Sequence, residues 1–170
     1  SLRRRRGVVL AGPETWLPAS LAASLKAFVR HGGGVLSLGA GALRGVSHIS
    51  NFPANPVAGA PTESKPDLFG ATHGPIAATM GLGVVTLGDQ LGLFGDVPAV
   101  QGFSQYELIQ PPAGVPTATA GVASGDPAVT AFKLGRGYVA EVGLVNFNMS
   151  LASNTRAQEL LTGLWQLLSK

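Results

Sequence analysis

Residues 32–45, "GGGVLSLGAGALRG", have a spacing that could support nucleophilic catalysis. The pattern predicts a helix stop, a short buried strand and then a tight turn. In many α/β hydrolytic folds a nucleophile stands on such a turn. Here the turn carries only Gly39, Ala40, Gly41 and Ala42. The chain also has no Cys, which excludes a cysteine nucleophile, a thiolate metal site and disulfides.

Serine does not replace the missing nucleophile. Ser37 lies inside the predicted strand and Ser47 lies well past the turn, and neither stands in a G-x-S-x-G sequence. We expect Ser37 to be buried and hydrogen-bonded. With no nucleophile on the turn, no catalytic residue is predicted.

Glu14 is the carboxylate best placed for ligand binding. It follows the first predicted strand, at the carboxyl end, where open α/β sheets bind ligands. Backbone amides after the two strands would converge there and could hold a small polar or anionic ligand. Alternatively, Glu14 caps the first helix through backbone amides. The candidate crevice consists of Gly12, Glu14, Trp16, Gly39, Ala40 and Gly41.

The three histidines do not form a recognisable site. His31 is expected to cap the end of a helix. His48 and His73 fall in the irregular middle of the chain, as loop residues or as part of a site. No pair has H-x-H or H-x-x-x-H spacing, so the sequence predicts no metal site and no cofactor. We expect four other acidic residues on turns or strand surfaces: Asp89, Asp96, Glu107 and Asp126.

The glycine-rich turn does not match a nucleotide-binding loop. "GAGALRG" has three residues in its last gap, where G-x-G-x-x-G has two. The nearest acidic residue after Gly41 is Glu63, in a proline-rich stretch. Nucleotide binding is therefore not favoured.

The elements that position this turn are expected to form a β-α-β unit. Residues 7–11, "GVVLA", and 35–38 predict buried strands, which should be parallel. Between them, Pro18 suits the first turn of a helix and glycines 32–34 end it. The apolar face of that helix would consist of Leu17, Leu21, Leu25, Phe28 and Val29.

The rest of the chain divides into an irregular middle and a regular end. Residues 47–80 read as an insertion of long loops, with a strand near 46–49. Strands are expected at 82–87 and 91–94, and within 102–110 and 117–124. Residues 128–145 predict a hairpin that turns at 134–137. A final helix begins at Thr155, with Ser153 or Asn154 as its cap.

Composition limits the classes of function. The chain has 170 residues, enough for one domain, and charged residues make up 12%. The net charge is +3, and much of it comes from Arg3 to Arg6. We expect these arginines to form a solvated segment before the first strand, so no nucleic-acid surface is predicted. No run approaches the ~20 apolar residues of a membrane span. The start of the chain suggests a fragment of a longer protein, and its compartment stays open.

The stretch "VVLAGPETWLPASLAASLKAFVRHGGGVLSLGA", with "GRGYVAEVGL" and the last helix, resembles class I glutamine amidotransferase-like domains. The similar group is related to the C-terminal part of the N,N-dimethylformamidase large subunit and to ThuA-like proteins. The resemblance covers residues 7–45 and 128–169. It implies an α/β fold with a flavodoxin-like, doubly wound and mostly parallel sheet, a C-terminal β-hairpin and a terminal helix.

The same resemblance argues against the family's activity. Active members carry a Cys on the turn that matches Gly39–Gly41, and a His and a Glu in the region that matches residues 143–148, "GLVNFN". Neither region holds those residues here. We therefore expect a non-catalytic accessory or interaction domain, partnered by other domains of a longer chain or by another protein.

Two alternatives stay open at this point. One is a small-substrate hydrolase or amidohydrolase, with a site shared with a neighbouring domain or built on Glu14 and His48 or His73. The other is a sugar or small-anion binding module at the candidate crevice. Fold alone does not decide among these functions.

Overall fold

The computed structural model describes residues 2, 5–12, 14–47, 66–95 and 99–169. Each strand or helix is named here in chain order. The elements are β1 (Gly7–Leu10), β2 (Trp16–Pro18), α1 (Ala19–Arg30), β3 (Gly34–Ser37), β4 (Gly45–Ser47), β5 (Thr72–Ala78), β6 (Val85–Asp89), β7 (Gln105–Gln110), β8 (Thr117–Gly121), β9 (Pro127–Leu134), β10 (Gly137–Val142), α2 (Phe147–Ser150) and α3 (Thr155–Leu168).

A six-stranded mixed sheet lies at the centre, in the order β1-β3-β10-β9-β8-β6. The β1–β3 and β3–β10 pairs are parallel. The β10–β9, β9–β8 and β8–β6 pairs are antiparallel. The α/β class, the parallel β-α-β unit around α1 and the C-terminal hairpin are therefore confirmed.

Two small sheets stand beside the central one. Strands β2 and β4 pair in parallel, and β5 and β7 pair antiparallel with a register shift between His73 and Ile76. The β5–β7 pair touches the central sheet through β7 and β9. This second layer brings residues from the irregular middle of the chain onto the main sheet.

The central strands supply both faces of the core. On β3, Val35 packs with Leu25 and Val29 of α1, whereas Leu36 packs with Leu164 of α3. Alternate residues of a strand point to opposite faces, so each central strand contributes to both sides. The two hydrophobic clusters therefore lie back to back across one sheet.

The first helix starts later than the apolar pattern predicts. Pro18 is its N-cap with extended backbone angles (φ −54°, ψ 139°), and Leu17 is buried in β2 instead. Leu21, expected on the buried face, is 39% exposed. The face of α1 that is buried carries Ala22, Leu25 and Val29.

Residues 91–94, expected as a strand, form a loop. The Asp89 carboxylate accepts hydrogen bonds from the amides of Leu93 (2.8 Å), Phe94 (2.8 Å) and Gly95 (3.3 Å), which bends the chain back on itself. These bonds to a side chain take the place of strand pairing.

The insertion expected at 47–80 is partly regular. Strand β5 lies within it, and β4 corresponds to the strand expected near 46–49. Residues 48–65, which include His48, lie outside the described residues.

The C-terminal end follows the sequence prediction. The Asn154 side chain caps α3 by accepting a hydrogen bond from the Ala157 amide at 3.1 Å. Leu160, Leu164 and Leu168 are buried, whereas Trp165 is 41% exposed. No helix in the described part of the chain is both long enough and apolar enough to cross a membrane.

Candidate functional site

The turn after β3 holds a carboxylate supplied by the chain itself. Gly41 has a φ of +80°, and its amide donates a hydrogen bond to Oε2 of Glu107 at 2.6 Å. Glu107 lies on β7, 66 residues further along the chain. A turn amide that could bind an anionic ligand is therefore already paired with an internal anion.

Glu107 belongs to a group of buried ionisable side chains, which we call the buried charge cluster. Glu141 lies on the central strand β10 and His73 on β5. Arg44 follows the turn after β3, and Asp67 lies in the loop before β5. Five elements or loops thus meet through polar side chains between the central sheet and the β5–β7 layer.

His73 is the hub of the buried charge cluster. Its Nε2 atom lies 3.1 Å from Oε2 of Glu141 and 3.5 Å from Oδ2 of Asp67. Its Nδ1 atom lies 3.4 Å from Oε2 of Glu107, without the geometry of a hydrogen bond. The imidazole is only 2% exposed, so all three carboxylates act on it with little screening by water.

Asp67 is oriented by the backbone. Its Oδ1 atom accepts hydrogen bonds from the amides of Phe69 (2.8 Å), Gly70 (2.7 Å) and Ala71 (2.8 Å). These bonds hold one carboxylate oxygen in a tight loop and direct Oδ2 towards His73. The sequence "PDLFG" thus forms a small carboxylate-centred turn.

Glu107 is also paired with a cation. Arg44 forms a salt bridge to its Oε1 atom, and the two side chains are 13% and 0% exposed. The Gly41 amide binds the other oxygen. Glu107 therefore joins the turn after β3, Arg44 and His73 in one contact network.

Three buried oxygen atoms in or beside the buried charge cluster have no hydrogen-bond partner. They are Oε1 of Glu141, Oγ of Ser37 and Oε1 of Glu107, of which the last faces Arg44 in the salt bridge. Ser37 and Glu141 are register partners on β3 and β10, so their side chains lie on the same face of the sheet. The expected burial of Ser37 is confirmed, but its expected hydrogen bond is absent from the structure.

Burial and charge shift the ionisation of this cluster in opposing ways. Burial alone lowers the pKa of His73, but hydrogen bonds and charge from Asp67 and Glu141 outweigh it and raise the pKa to about 9. Burial raises the pKa of Glu141 to about 8, with help from the charge of Asp67 and opposition from His73. Burial also lowers the pKa of Arg44. Without a bound cation, protons on His73 and Glu141 therefore balance the buried carboxylates at neutral pH.

The cluster also has a ligand set for a cation. One atom from each of Asp67, His73 and Glu141 lies within 4.8 Å of the other two. Two carboxylate oxygens and an imidazole nitrogen are ligands that divalent transition metals accept. The prediction of no metal site considered histidine spacing only, and it stays a prediction.

The candidate crevice stays a prediction: the Glu14 carbonyl oxygen accepts a hydrogen bond from the Leu43 amide at 2.9 Å, which places Glu14 beside the turn after β3. The Gly12 amide donates to Oε2 of Glu14 at 3.2 Å, so these two residues satisfy each other. Trp16 lies on β2 and is 47% exposed. Among the described residues, no side chain hydrogen-bonds to Gly39 or Ala40, and the Gly41 amide binds Glu107 instead of Glu14.

The other polar residues named from the sequence lie where expected in some cases and elsewhere in others. His31 caps α1 as expected, with Nδ1 2.6 Å from the Ala27 carbonyl oxygen. His73, which the sequence left open as a loop residue or as part of a site, is buried on β5. Glu107 was expected on a surface, and that is wrong, because its side chain is fully buried. Asp126 lies in a turn, where it accepts a hydrogen bond from Tyr106 Oη at 2.9 Å.

Sequence reasoning missed Arg44, Asp67 and Glu141. Glu141 offered a signal, because it is a single acid between Ala140 and Val142 in an otherwise apolar strand. A charged residue in such a strand is rarely buried without a partner. The partners themselves come from distant loops and had no sequence pattern to reveal them.

The comparisons with known proteins show the fold. No family model matches the sequence, and the search of curated proteins gave no match. A β-galactosidase from Rahnella sp. R3 is similar in structure, with a TM-score of 0.61, 18% identity and coverage of 95% of this chain and 22% of that one. A β-galactosidase from Bacillus circulans sp. alkalophilus has a TM-score of 0.59 and 17% identity, with coverage of 95% and 22%.

A cytoplasmic protein from Salmonella typhimurium is also similar, with a TM-score of 0.59 and 14% identity, and the match covers 98% of this chain and 73% of that one. The chain thus spans about a fifth of the β-galactosidases it matches. At these identities the likeness establishes the fold alone.

Proposed function

We propose that this chain is a non-catalytic α/β domain that serves as an accessory or interaction module. The observation that carries the proposal is the Glu107 carboxylate, which binds the Gly41 amide at 2.6 Å and pairs with Arg44. A reaction at this turn would need a nucleophile and free amides for the developing negative charge. The turn has no nucleophile, and Gly41 is occupied by an internal anion.

The finer description of the fold belongs to this proposal. A flavodoxin-like, amidotransferase-like domain that has lost its catalytic residues would still have three features. These are the parallel strands β1, β3 and β10, the helix α1 and the turn without a nucleophile. The similar solved structures carry other names, so this relationship rests on the sequence resemblance.

The structural neighbours support a role within a larger assembly. In the two β-galactosidases, the region similar to this chain is 22% of the whole protein. We propose the same use here, as one domain that docks on another protein domain. A carbohydrate-active enzyme is the context that these neighbours favour.

A short exposed apolar segment fits such docking. Ile76, Met80 and Leu82 are 54%, 85% and 48% exposed. Met80 also has a φ of 53°, in the left-handed region that bulky residues rarely adopt. An exposed Met in a strained turn costs folding stability, and contact with another protein surface gives a reason for it.

The non-catalytic part is tested at the Gly41 amide. We expect its NMR signal to stay in place when phosphate, glutamine or galactose is titrated into the wild-type protein. In assays with nitrophenyl esters and nitrophenyl galactosides, the wild-type protein should show no more hydrolysis than the Glu107→Gln variant. A saturable shift of the Gly41 signal, or hydrolysis that Glu107→Gln abolishes, would overturn the proposal.

The docking part is tested by sedimentation velocity, with a second copy of the chain as the first partner. We expect association at high concentration that Met80→Asn weakens. Met149→Asn is the matched control, because Met149 is 74% exposed but lies on α2, outside the segment. A wild-type chain that stays monomeric at every concentration excludes a second copy as the partner, and equal weakening by both variants contradicts docking through residues 76–82.

A further inference from the structure

The contacts of Asp67, His73 and Glu141 match those of a metal site in several independent respects. The first is distance. A tetrahedral ion with bonds of about 2.0–2.2 Å to nitrogen and oxygen has ligand atoms about 3.3–3.6 Å apart. His73 Nε2 lies 3.5 Å from Asp67 Oδ2 and 3.1 Å from Glu141 Oε2. The ligand atoms of Asp67 and Glu141 also lie within 4.8 Å of each other, so all three residues can approach one ion.

The outer contacts of the three ligands are also those of a metal centre. Ligating histidines usually present their second ring nitrogen to a carboxylate. Here His73 Nδ1 faces Glu107 Oε2 at 3.4 Å, without the geometry of a hydrogen bond, and Glu107 is itself paired with Arg44. Asp67 is fixed by three backbone amides on Oδ1, which leaves Oδ2 for the ion.

A buried oxygen atom in the site has no partner. Oε1 of Glu141 makes no hydrogen bond, although the side chain is only 2% exposed. Burying an unpaired carboxylate oxygen is costly, so this atom points to a missing partner. A metal ion bound by the Glu141 carboxylate would supply that partner.

The net charge of the buried charge cluster also fits a bound divalent cation. Arg44 balances Glu107 through their salt bridge. Asp67 and Glu141 then leave two negative charges around a neutral His73, which one divalent cation balances. The imidazole nitrogen disfavours Ca²⁺ and Mg²⁺, which prefer oxygen ligands, and favours a transition metal.

We propose that Asp67, His73 and Glu141 form a binding site for one divalent transition-metal ion, with Zn²⁺ as the leading choice. The three side chains are 0–2% exposed, and Glu141 would bind through both oxygens to give four ligand atoms, so the site is closed from solvent as in a structural metal centre. The ion clamps the 66–71 loop and β5 onto the central strand β10. This inference does not depend on the docking role proposed above.

The test is metal binding by the intact chain. After treatment with chelator and dialysis against Zn²⁺, we expect one equivalent of zinc per chain by elemental analysis. Co²⁺ in place of Zn²⁺ should give the visible absorption of a four-coordinate ion. Glu141→Gln keeps the size of the side chain and removes its charge, and should weaken affinity more than about 100-fold, beyond the 10–100-fold typical of outer contacts.

Glu159→Gln is the matched control, because Glu159 is 45% exposed and pairs with Arg156 away from the site. Its zinc affinity should equal that of the wild type. The wild-type protein also gives a readout that needs no variant, since imidazole ¹⁵N shifts show whether Nε2 of His73 is bound to metal. This decides the case if Glu141→Gln does not fold.

Three results would overturn the proposal. The first is a wild-type chain that binds no zinc or cobalt. The second is a folded Glu141→Gln protein that retains wild-type affinity. The third is a zinc ion bound to His31 or His48 while His73 stays protonated, in which case the cluster is a proton-bridged ion network and not a metal site.

Discussion

Glu107 links the buried charge cluster to the turn after β3. It binds the Gly41 amide, pairs with Arg44 and faces His73. Ion pairs buried in this way contribute little net stability, but loss of one partner is costly because the other charge is left without compensation. The turn after β3 therefore anchors an internal carboxylate.

Replacement of Glu107 by Ala is expected to lower the free energy of unfolding by about 3–5 kcal/mol, because Arg44 would stay largely buried without its salt-bridge partner. Urea denaturation followed by circular dichroism measures the loss. Glu159→Ala serves as the control, since its exposed pair with Arg156 should contribute less than about 1 kcal/mol. A similar small loss in both variants would show that Glu107 is not an anchor.

Tyr106 gives the protein a dependence on alkaline pH. Burial raises the pKa of its phenol above 10.0, and the hydrogen bond to Asp126 acts in the same direction. The folded protein thus favours the neutral phenol, so its contribution to stability is full below about pH 10 and falls as the pH rises through the folded pKa. Stability curves of the wild type and Tyr106→Phe should converge in this range. Parallel curves would contradict the shift.

At the scale of elements, glycines allow backbone segments to approach closely. A Cβ atom at Gly137 would lie 2.1 Å from the Gly33 carbonyl oxygen and 2.4 Å from the Val29 carbonyl oxygen. Both contacts are to backbone, which cannot rotate away. Gly137 therefore fixes how the β9–β10 hairpin fits against the end of α1.

Gly137→Ala is expected to destabilise the fold by about 3 kcal/mol, at the upper end of overpacking losses, because the clash is with backbone. Thermal or urea unfolding measures it. Gly88→Ala on β6 is the matched control, since its nearest contact would be Thr119 Oγ1 at 3.7 Å. If the two variants lose the same stability, the close approach at Gly137 is not a constraint on the fold.

The turn after β5 is strained at Met80. Met80 and Gly81 both have positive φ values, 53° and 77°, and the Leu82 amide bonds to the Thr79 carbonyl oxygen at 3.0 Å. Turns of this kind favour Asn or Gly at the Met80 position. The 85% exposed Met side chain does not recover the strain by packing within the chain.

Met80→Asn is therefore expected to raise the free energy of unfolding by about 1 kcal/mol, as relief of left-handed strain by a residue that tolerates it. Urea denaturation of the variant and the wild type gives the difference. Met149→Asn on α2 should be near neutral. A destabilised Met80→Asn protein would mean that the methionine packs within its own chain.

The elements that were predictable from sequence are those with a local pattern. Strands β1 and β3, the β9–β10 hairpin and α3 all have apolar periodicity and turn or cap residues at their ends. The expectation of a strand at 91–94 was wrong. The residues form a loop because the amides of Leu93 and Phe94 donate to the Asp89 carboxylate, which overrides their apolar composition. The turn after β3 was located correctly, whereas its occupant Glu107 comes from a distant strand that no local pattern links to it.

At the scale of the whole molecule, one sheet unites two hydrophobic clusters. Strands β3 and β10 give alternate residues to each face, with Val35 and Val139 on one side and Leu36 and Ala140 on the other. Both clusters therefore lose part of their contacts if these strands separate. The buried charge cluster adds a link between β10 and the β5–β7 layer.

This arrangement predicts that both faces unfold together, and the two tryptophans report on it separately. Trp16 lies against Gly45 beside the α1 face, and Trp165 of α3 lies against Gly7. In Trp165→Phe only Trp16 fluoresces, and in Trp16→Phe only Trp165 does. For each variant the urea midpoint from fluorescence should coincide with its own midpoint from circular dichroism, because a shared sheet makes unfolding cooperative. A fluorescence midpoint that precedes the circular dichroism midpoint in one variant alone would show that its face opens independently of the shared strands.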